Sequence, residues 1–326
     1  MLMLGLLMTL ATPEFGVSGE IAYYSHREGE WSWFIHIINT NGSEPIKLAE
    51  GGTPAWSPDG KKIAFSFGFR GFFDDVVGIY VIDANGENRV KLTRNQNNRN
   101  LFPAWSPDGT TIAFWSNREG QPDIYLMDAD GMNPINLTRD LHDEDRPSWS
   151  PDGSKIAFGA LLLPRGEKSM SDIFVMDAAG GNRINLTQNP EAVNQFPAWS
   201  PDGSRIAYEA SPHPNHWFPP SNIHVMNADG SQPEMLTAGR RFASEGLPTW
   251  SPYGRRIAFH RREPEGRNDI FVINADGTGL LNLTKTEFVE ELSPSWRPAP
   301  LAVTSRRRLA TQWGAVKLRR KSALQD

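Results

Sequence analysis

The sequence predicts an all-β fold: a six-bladed β-propeller of four-stranded blades, its ring closed by a blade shared between the N- and C-terminal segments. Three observations predict it. One phrase recurs six times at blade-sized spacing, each repeat holds four short strand signals, and incomplete repeats at the two ends complement one another.

The phrase is Pro-Ala-Trp-Ser-Pro-Asp-Gly at residues 54–60, repeated closely at 103–109, 147–153 and 197–203. A fifth copy, 248–254, carries Tyr253 in place of Asp, and a sixth, Pro294-Ser-Trp296-Arg-Pro298, is degenerate. The tryptophans stand at 56, 105, 149, 199, 250 and 296, intervals of 49, 44, 50, 51 and 46 residues. One four-stranded blade takes about 40 to 50 residues.

Within each repeat, strand a is the Pro-x-Trp segment. Strand b reads Ile-Ala-aromatic, from Ile63, Ile112, Ile156, Ile206 and Ile257. Strand c starts at Ile79, Ile124, Ile173, Ile223 and Ile270, and strand d ends in Leu-Thr at Leu92, Leu137, Leu186, Leu236 and Leu283. These runs are β-branched and aromatic and are bounded by turn residues. Pro-Asp-Gly makes the a–b turn; Gly86, Gly131, Gly230 and Gly277 supply the positive φ of the c–d turn.

The first repeat is split. Ile21-Ala-Tyr23, the run from Ile35, and Ile46-Lys-Leu48 match strands b, c and d, while the missing strand a arrives at 294–297. Pairing the two ends closes the ring and protects its sheet edges.

Composition narrows the function classes. The 326 residues carry a net charge of −5, which gives no bias toward nucleic acid. The absence of cysteine excludes disulfides, a thiolate nucleophile and Cys-ligated zinc. Three segments are expected: an apolar leader over 1–18, the propeller over 19–300 and a basic tail over 301–326. The leader resembles the apolar region of a signal peptide but lacks a basic start, so a hydrophobic strand or a misplaced start codon stays open beside export. The tail carries seven Lys or Arg against Asp326, a balance of +6. It reads either as a docking segment with Leu309, Trp313 and Val316 on one helical face, or as a disordered end.

The repeat PAWSPDG…IAF…DIYLMDADG…NLT resembles that of TolB-type propellers and of the propellers in dipeptidyl peptidase IV-like enzymes, over about residues 21–298. The resemblance implies a propeller that binds a partner in the cell envelope, periplasmic or secreted. Two departures stand beside it. Too few residues precede Ile21 for the α/β domain that TolB carries, and the hydrolase domain of the peptidases has no counterpart here. The fold is implied firmly, the function loosely.

Comparison of the repeats selects a face. Trp to strand b Ile is always 7 residues, and c–d Gly to strand d Leu always 6. The b–c connections vary from 10 to 15 residues, measured from strand b aromatic to strand c Ile, and the d–a connections from 8 to 14, measured from strand d Leu to Trp. Alternating strand direction places both variable connections on one face, where a scaffold carries its binding residues.

Five residues before each Trp stand Asn100, Glu144, Asn194, Glu245 and Glu291, with Glu50 beside the corresponding Gly51. Strand a is innermost, so these positions are expected to ring the channel mouth and attract a cation, an ammonium group or a basic segment. The alternative is that each caps its own d–a turn. The b–c loops add Phe69, Arg70 and Phe72, and His213, His216 and Trp217, aromatic and charged side chains of the kind that anchor interfaces; folding back over the blade tops is the alternative. The His213/His216 spacing suits a metal, yet no third ligand is evident and no metal or cofactor is expected. Asp123, Asp172 and Asp269 recur before strand c and read as structural acceptors. No nucleophile elbow, phosphate loop or zinc-protease motif occurs.

The expected function is therefore a non-enzymatic binding or scaffold propeller, monomeric, that recognises a protein, peptide or glycan on the variable face and channel mouth, with no nucleic-acid partner and no integral membrane segment. Two alternatives stay open: a hydrolase or lyase working in the central channel, and a detached regulatory propeller of a peptidase.

Overall fold

A computed structural model describes residues 19–27, 32–68, 77–94, 98–139, 143–162, 170–189, 192–212, 220–237, 244–262, 267–286 and 289–299. The leader and the basic tail lie outside them.

The described chain is an all-β propeller. Its 24 strands run from β1 (Glu20–Arg27) to β24 (Val289–Trp296), with no helix among the described residues, and so none long and apolar enough to cross a membrane. Four sheets have four strands each; an eight-stranded sheet takes in the repeats of Trp149 and Trp199. That larger sheet is continuous through a single parallel pairing, Ser171 with Val193. Equivalent parallel contacts, Val77 with Arg99 and Ser221 with Ser244, occur elsewhere as isolated bridges. The two ends meet as expected: β24 pairs antiparallel with β1, Trp296 opposite Ile21.

Each repeat follows its turn chemistry. In the first a–b turn, Gly60 has φ 67°, the Ser57 hydroxyl donates to Asp59 at 2.7 Å, and the Lys61 N–H donates to the same carboxylate oxygen at 3.1 Å. The fourth strands are short, two residues in five of the six cases, such as Ile135–Asn136. A side-chain clamp ties them to strand c. Asn136, Asn185 and Asn282 donate to Asp123, Asp172 and Asp269 at 2.7, 2.7 and 2.6 Å. The recurring aspartates are thus structural acceptors, and the Asn-Leu-Thr amides are occupied by them.

The core lies between neighbouring sheet units. Trp149, Ile156 and Phe158 pack on Ala113, Ile124 and Leu126 of the preceding unit, and the Trp149 indole N–H donates to the Ala104 carbonyl at 3.1 Å. Six such apolar clusters are present among the described residues, each joining two successive repeats, the last of them across the two chain ends. Fully burying a side chain of this size stabilises the fold by about 1.5–3 kcal/mol.

The innermost strands carry a device that period-two alternation does not predict. Where each meets strand b, the register shifts across the residue three before Trp and the proline after it. At this β-bulge Thr53, Phe102, Arg146, Phe196, Leu247 and Ser293 take φ between 47° and 60°. Non-glycine residues there cost about 1–3 kcal/mol each and persist only where the surroundings fix them. Proline suits a bulge, because no ladder N–H is needed. The consequence is that all six side chains turn to the propeller axis.

Candidate functional site in the central channel

These bulge residues line one cavity of about 180 Å³, to which all six innermost strands contribute. A ring of prolines with the hydroxyl residues Ser148, Thr249 and Ser295 completes its wall.

Arg146 is the only charged residue at the bulge position. Its guanidinium lies between the rings of Phe102 and Phe196, at 3.8 and 4.0 Å from their centroids. Its Nε is buried and makes no hydrogen bond.

Further titratable groups gather around it. Asp145 precedes Arg146 on β12 (Glu144–Trp149) and pairs across the ladder with Gly159. A Cβ on Gly159 would come within 2.7 Å of the Asp145 Oδ1. Glu209, on β17 (Arg205–Ser211), accepts from the Gln195 amide at 3.2 Å. It reaches toward Gly246, where an added Cβ would sit 2.1 Å from its Oε2 and 2.8 Å from the ring of His260. The glycines make room for the carboxyls. Burial pushes the Asp145 carboxyl up to about 6, against the pull of Arg146. Burial likewise takes Glu209 up to about 7, opposed by bonds from Gln195 and Ser221 and by Arg146. Burial, then the charge of Arg146, takes His260 down to about 3, so its imidazole is neutral. Tyr24 is pushed up to about 12 by burial, with Arg146 acting against the shift. Acid, base and cation thus meet in a narrow, largely desolvated space.

The residues expected to ring the channel mouth are placed differently. Asn100, Glu144, Asn194, Glu245 and Glu291 are 0–4% exposed. Asn100 donates to the Val77 carbonyl at 2.9 Å and accepts from Ser116 and Arg118, each at 2.9 Å. Glu144 accepts from Arg183 at 2.9 Å. Asn194 donates to Asp172 at 3.3 Å. Glu245 accepts from Thr237 and faces Arg261 at 3.5 Å. Glu291, pushed up to about 8 by burial and by Asp269, accepts from Thr284, Thr286 and Tyr23. These contacts tie each innermost strand to its neighbours, the geometry of the turn-bracing alternative rather than of an open ring of charge. Glu50 alone is part-exposed, beside a small hollow lined by Trp33 and Phe67. Phe69, Arg70, Phe72, His213, His216 and Trp217 lie outside the described residues. Among the described residues, no three His, Asp or Glu side chains are grouped to hold a metal ion.

The channel cluster escaped the sequence reading, though a signal for it exists. The residue after each Ile-Ala-aromatic reads Tyr24, Ser66, Trp115, Gly159, Glu209 and His260. Inside the most regular strand of the repeat, that one position changes chemistry every time.

A second cavity, about 440 Å³, opens beside the repeat of Trp250's predecessor, lined among others by Tyr208, Asn222, His224 and Met235. Here Asn222 and Met235 replace the Asp–Asn clamp, and the Asn222 Oδ1 is buried without a hydrogen bond.

Comparison with known proteins fits this architecture. The family model of the TolB beta propeller domain matches residues 5–160 and 144–303. The structure is similar to TolB from Acinetobacter baumannii, with 26% identity and a TM-score of 0.71, over 86% of this chain and 67% of that one. It is similar to a putative TolB from Agrobacterium tumefaciens, at 19% identity and a TM-score of 0.62, over 87% of this chain and 100% of that one. An oligogalacturonate lyase from Vibrio parahaemolyticus shares the fold, at 15% identity and a TM-score of 0.51, over 82% of this chain and 74% of that one. A search of curated proteins finds no match to this chain. With the family model spanning the repeats from end to end, the chain belongs to the TolB beta propeller domain family.

Proposed function

We propose that this protein is a non-enzymatic, six-bladed binding propeller of the cell envelope, and that it holds a protein or peptide partner at the channel and the variable-loop face around it. The blade count rests on six apolar clusters between successive repeats, with the eight-stranded sheet taken as two blades bridged by Ser171 and Val193. One observation carries the functional reading: at the bulge position turned into the channel the repeats carry Thr53, Phe102, Arg146, Phe196, Leu247 and Ser293, while the prolines beside them and the residues bracing the strands recur. A fold that keeps its frame and varies one concave surface is built as a binding scaffold. The likeness to TolB structures supports a periplasmic setting. Segments 1–18 as leader, 19–300 as propeller and 301–326 as basic tail belong to the same proposal, as do Phe69, Arg70, Phe72, His213, His216 and Trp217 as rim contacts. The buried Asn100, Glu144, Asn194, Glu245 and Glu291, and Glu50 beside them, would act by holding the rim in place.

The test is affinity capture from envelope extract with wild type and with a variant whose 66–77 and 210–221 loops are replaced by short Gly-Ser links. A partner captured by wild type alone supports the reading; the same partners on both proteins would remove the loops from it.

A second reading, a hydrolase or lyase in the channel, is favoured by one observation. Glu209, pushed up to about 7, adjoins the neutral His260, and groups tuned to neutral pH cluster at catalytic sites. Turnover of an ester, peptide or uronate substrate that Glu209→Gln abolishes would establish it.

A further inference from the structure

The ligand's chemistry can be read one step further, resting on the channel reading above. We propose that Arg146 is the anchor for a carboxylate of the bound ligand, presented edge-on between Phe102 and Phe196.

The argument begins with shape. The Phe102 and Phe196 rings lie 3.8 and 4.0 Å from the guanidinium carbon, and a guanidinium held against aromatic rings keeps its in-plane N–H groups for a partner. A planar carboxylate matches that edge with two parallel hydrogen bonds. The edge lacks a full set of partners within the chain, since Nε is buried without a hydrogen bond. An unpaired charged donor in a desolvated place is costly, and a ligand oxygen removes that cost. The bulge matters too. It holds Arg146 at φ 47° and turns it to the axis, where the repeats on either side offer only phenyl groups. The stacked rings hold the side chain still, so little freedom is lost on binding.

Four titratable groups face Arg146: Asp145 on its own strand, and Tyr24, Glu209 and His260 from other strands. Tyr24 and His260 are neutral near pH 7. Asp145 and Glu209 compete with a ligand for Arg146 when ionised. Burial raises both carboxyls, so both become neutral under mildly acidic conditions and the cluster gains positive charge. Carboxylate binding therefore strengthens as pH falls from 8 toward 5.5, with proton uptake.

A carboxylate can come from an acidic side chain or from a chain end. The probes are acetyl-Gly-Glu-Gly-amide for the first, acetyl-Gly-Gly-Gly with a free carboxylate for the second, and acetyl-Gly-Gln-Gly-amide as the uncharged control. Calorimetry at pH 6 with the full chain is expected to show binding of at least one acidic probe and none of the control. The responding probe identifies the source. Arg146→Gln should weaken that binding tenfold or more, and Arg146→Lys, which keeps the charge but not the planar edge, should weaken it less. Wild type should bind more weakly at pH 8 than at pH 6. Unchanged affinity in an Arg146→Gln variant with wild-type melting and near-ultraviolet dichroism would overturn the proposal, as would no acidic probe binding wild type. In the latter case, continued loop-dependent capture of a partner would leave the channel reading standing and remove only the ligand class.

Discussion

Replacing Glu209 by Gln tests the electrostatics of the channel most simply. The side chain is 9% exposed, and its carboxyl sits at about 7 because burial penalises the charged form. In an unfolded chain a glutamate titrates at about 4.3. Between these values the folded protein binds the proton and the unfolded chain does not. Folding is therefore favoured at acid pH, and this contribution is lost as pH rises from about 4.3 to about 7. A difference of about 2.7 units corresponds to about 4 kcal/mol, fully expressed above pH 7. Asp145 and Glu291, also raised, work in the same direction, so wild-type stability should decline from pH 5 to pH 8. Glutamine has nearly the same shape, cannot ionise, and keeps an acceptor for the Gln195 amide. Urea unfolding at pH 5 and pH 8 is the assay. Glu209→Gln should match wild type within about 1 kcal/mol at pH 5 and exceed it by about 3–4 kcal/mol at pH 8. A variant less stable than wild type at pH 8, or a difference equal at the two pH values, would refute the reasoning.

Two further predictions concern departures from the repeat. Tyr253, 58% exposed, occupies the place where Asp59, Asp108, Asp152 and Asp202 accept from a serine hydroxyl at 2.6–2.7 Å. Tyr253→Asp should restore that turn and stabilise by about 0.5–1.5 kcal/mol, read as a melting temperature higher by about 1–5 °C. Asn222→Asp with Met235→Asn rebuilds the missing strand c to strand d clamp beside the second cavity. The pair should stabilise by about 1 kcal/mol more than the sum of the single changes, measured as a double-mutant cycle.

The frame of the molecule was legible in the sequence because backbone geometry dictates it. Gly60, Gly109, Gly153, Gly203 and Gly254 hold φ of 67–73°, which a side chain rarely adopts, so the a–b turn prints itself at a fixed distance from each Trp. The split first repeat was legible for the same reason, since strands b, c and d at the amino end lacked only the strand found at 294–297. The residues five before Trp stand out in the sequence as a set, yet Asn100 and Glu144 bond to backbone and arginine inside the wall rather than standing in the opening. A recurring polar residue in a repeat protein is more often part of the frame than of the site. The channel position of Arg146 was not found, because the β-bulge breaks the two-residue alternation from which facing is read. Nothing in the local string Glu144-Asp-Arg-Pro announces that Arg146 turns to the axis between two rings supplied by residues 102 and 196. These contacts join chain segments 44 and 50 residues apart and exist only once successive repeats are assembled.

The claim that the channel is the binding surface can be tested by placing a photo-activated cross-linking amino acid at Thr249, in the channel wall, and separately at Val90, 55% exposed on an outer strand. Each protein would be irradiated in envelope extract. The account predicts a discrete adduct from position 249 and none from position 90. Adducts from position 90 alone, with the channel position silent, would contradict it.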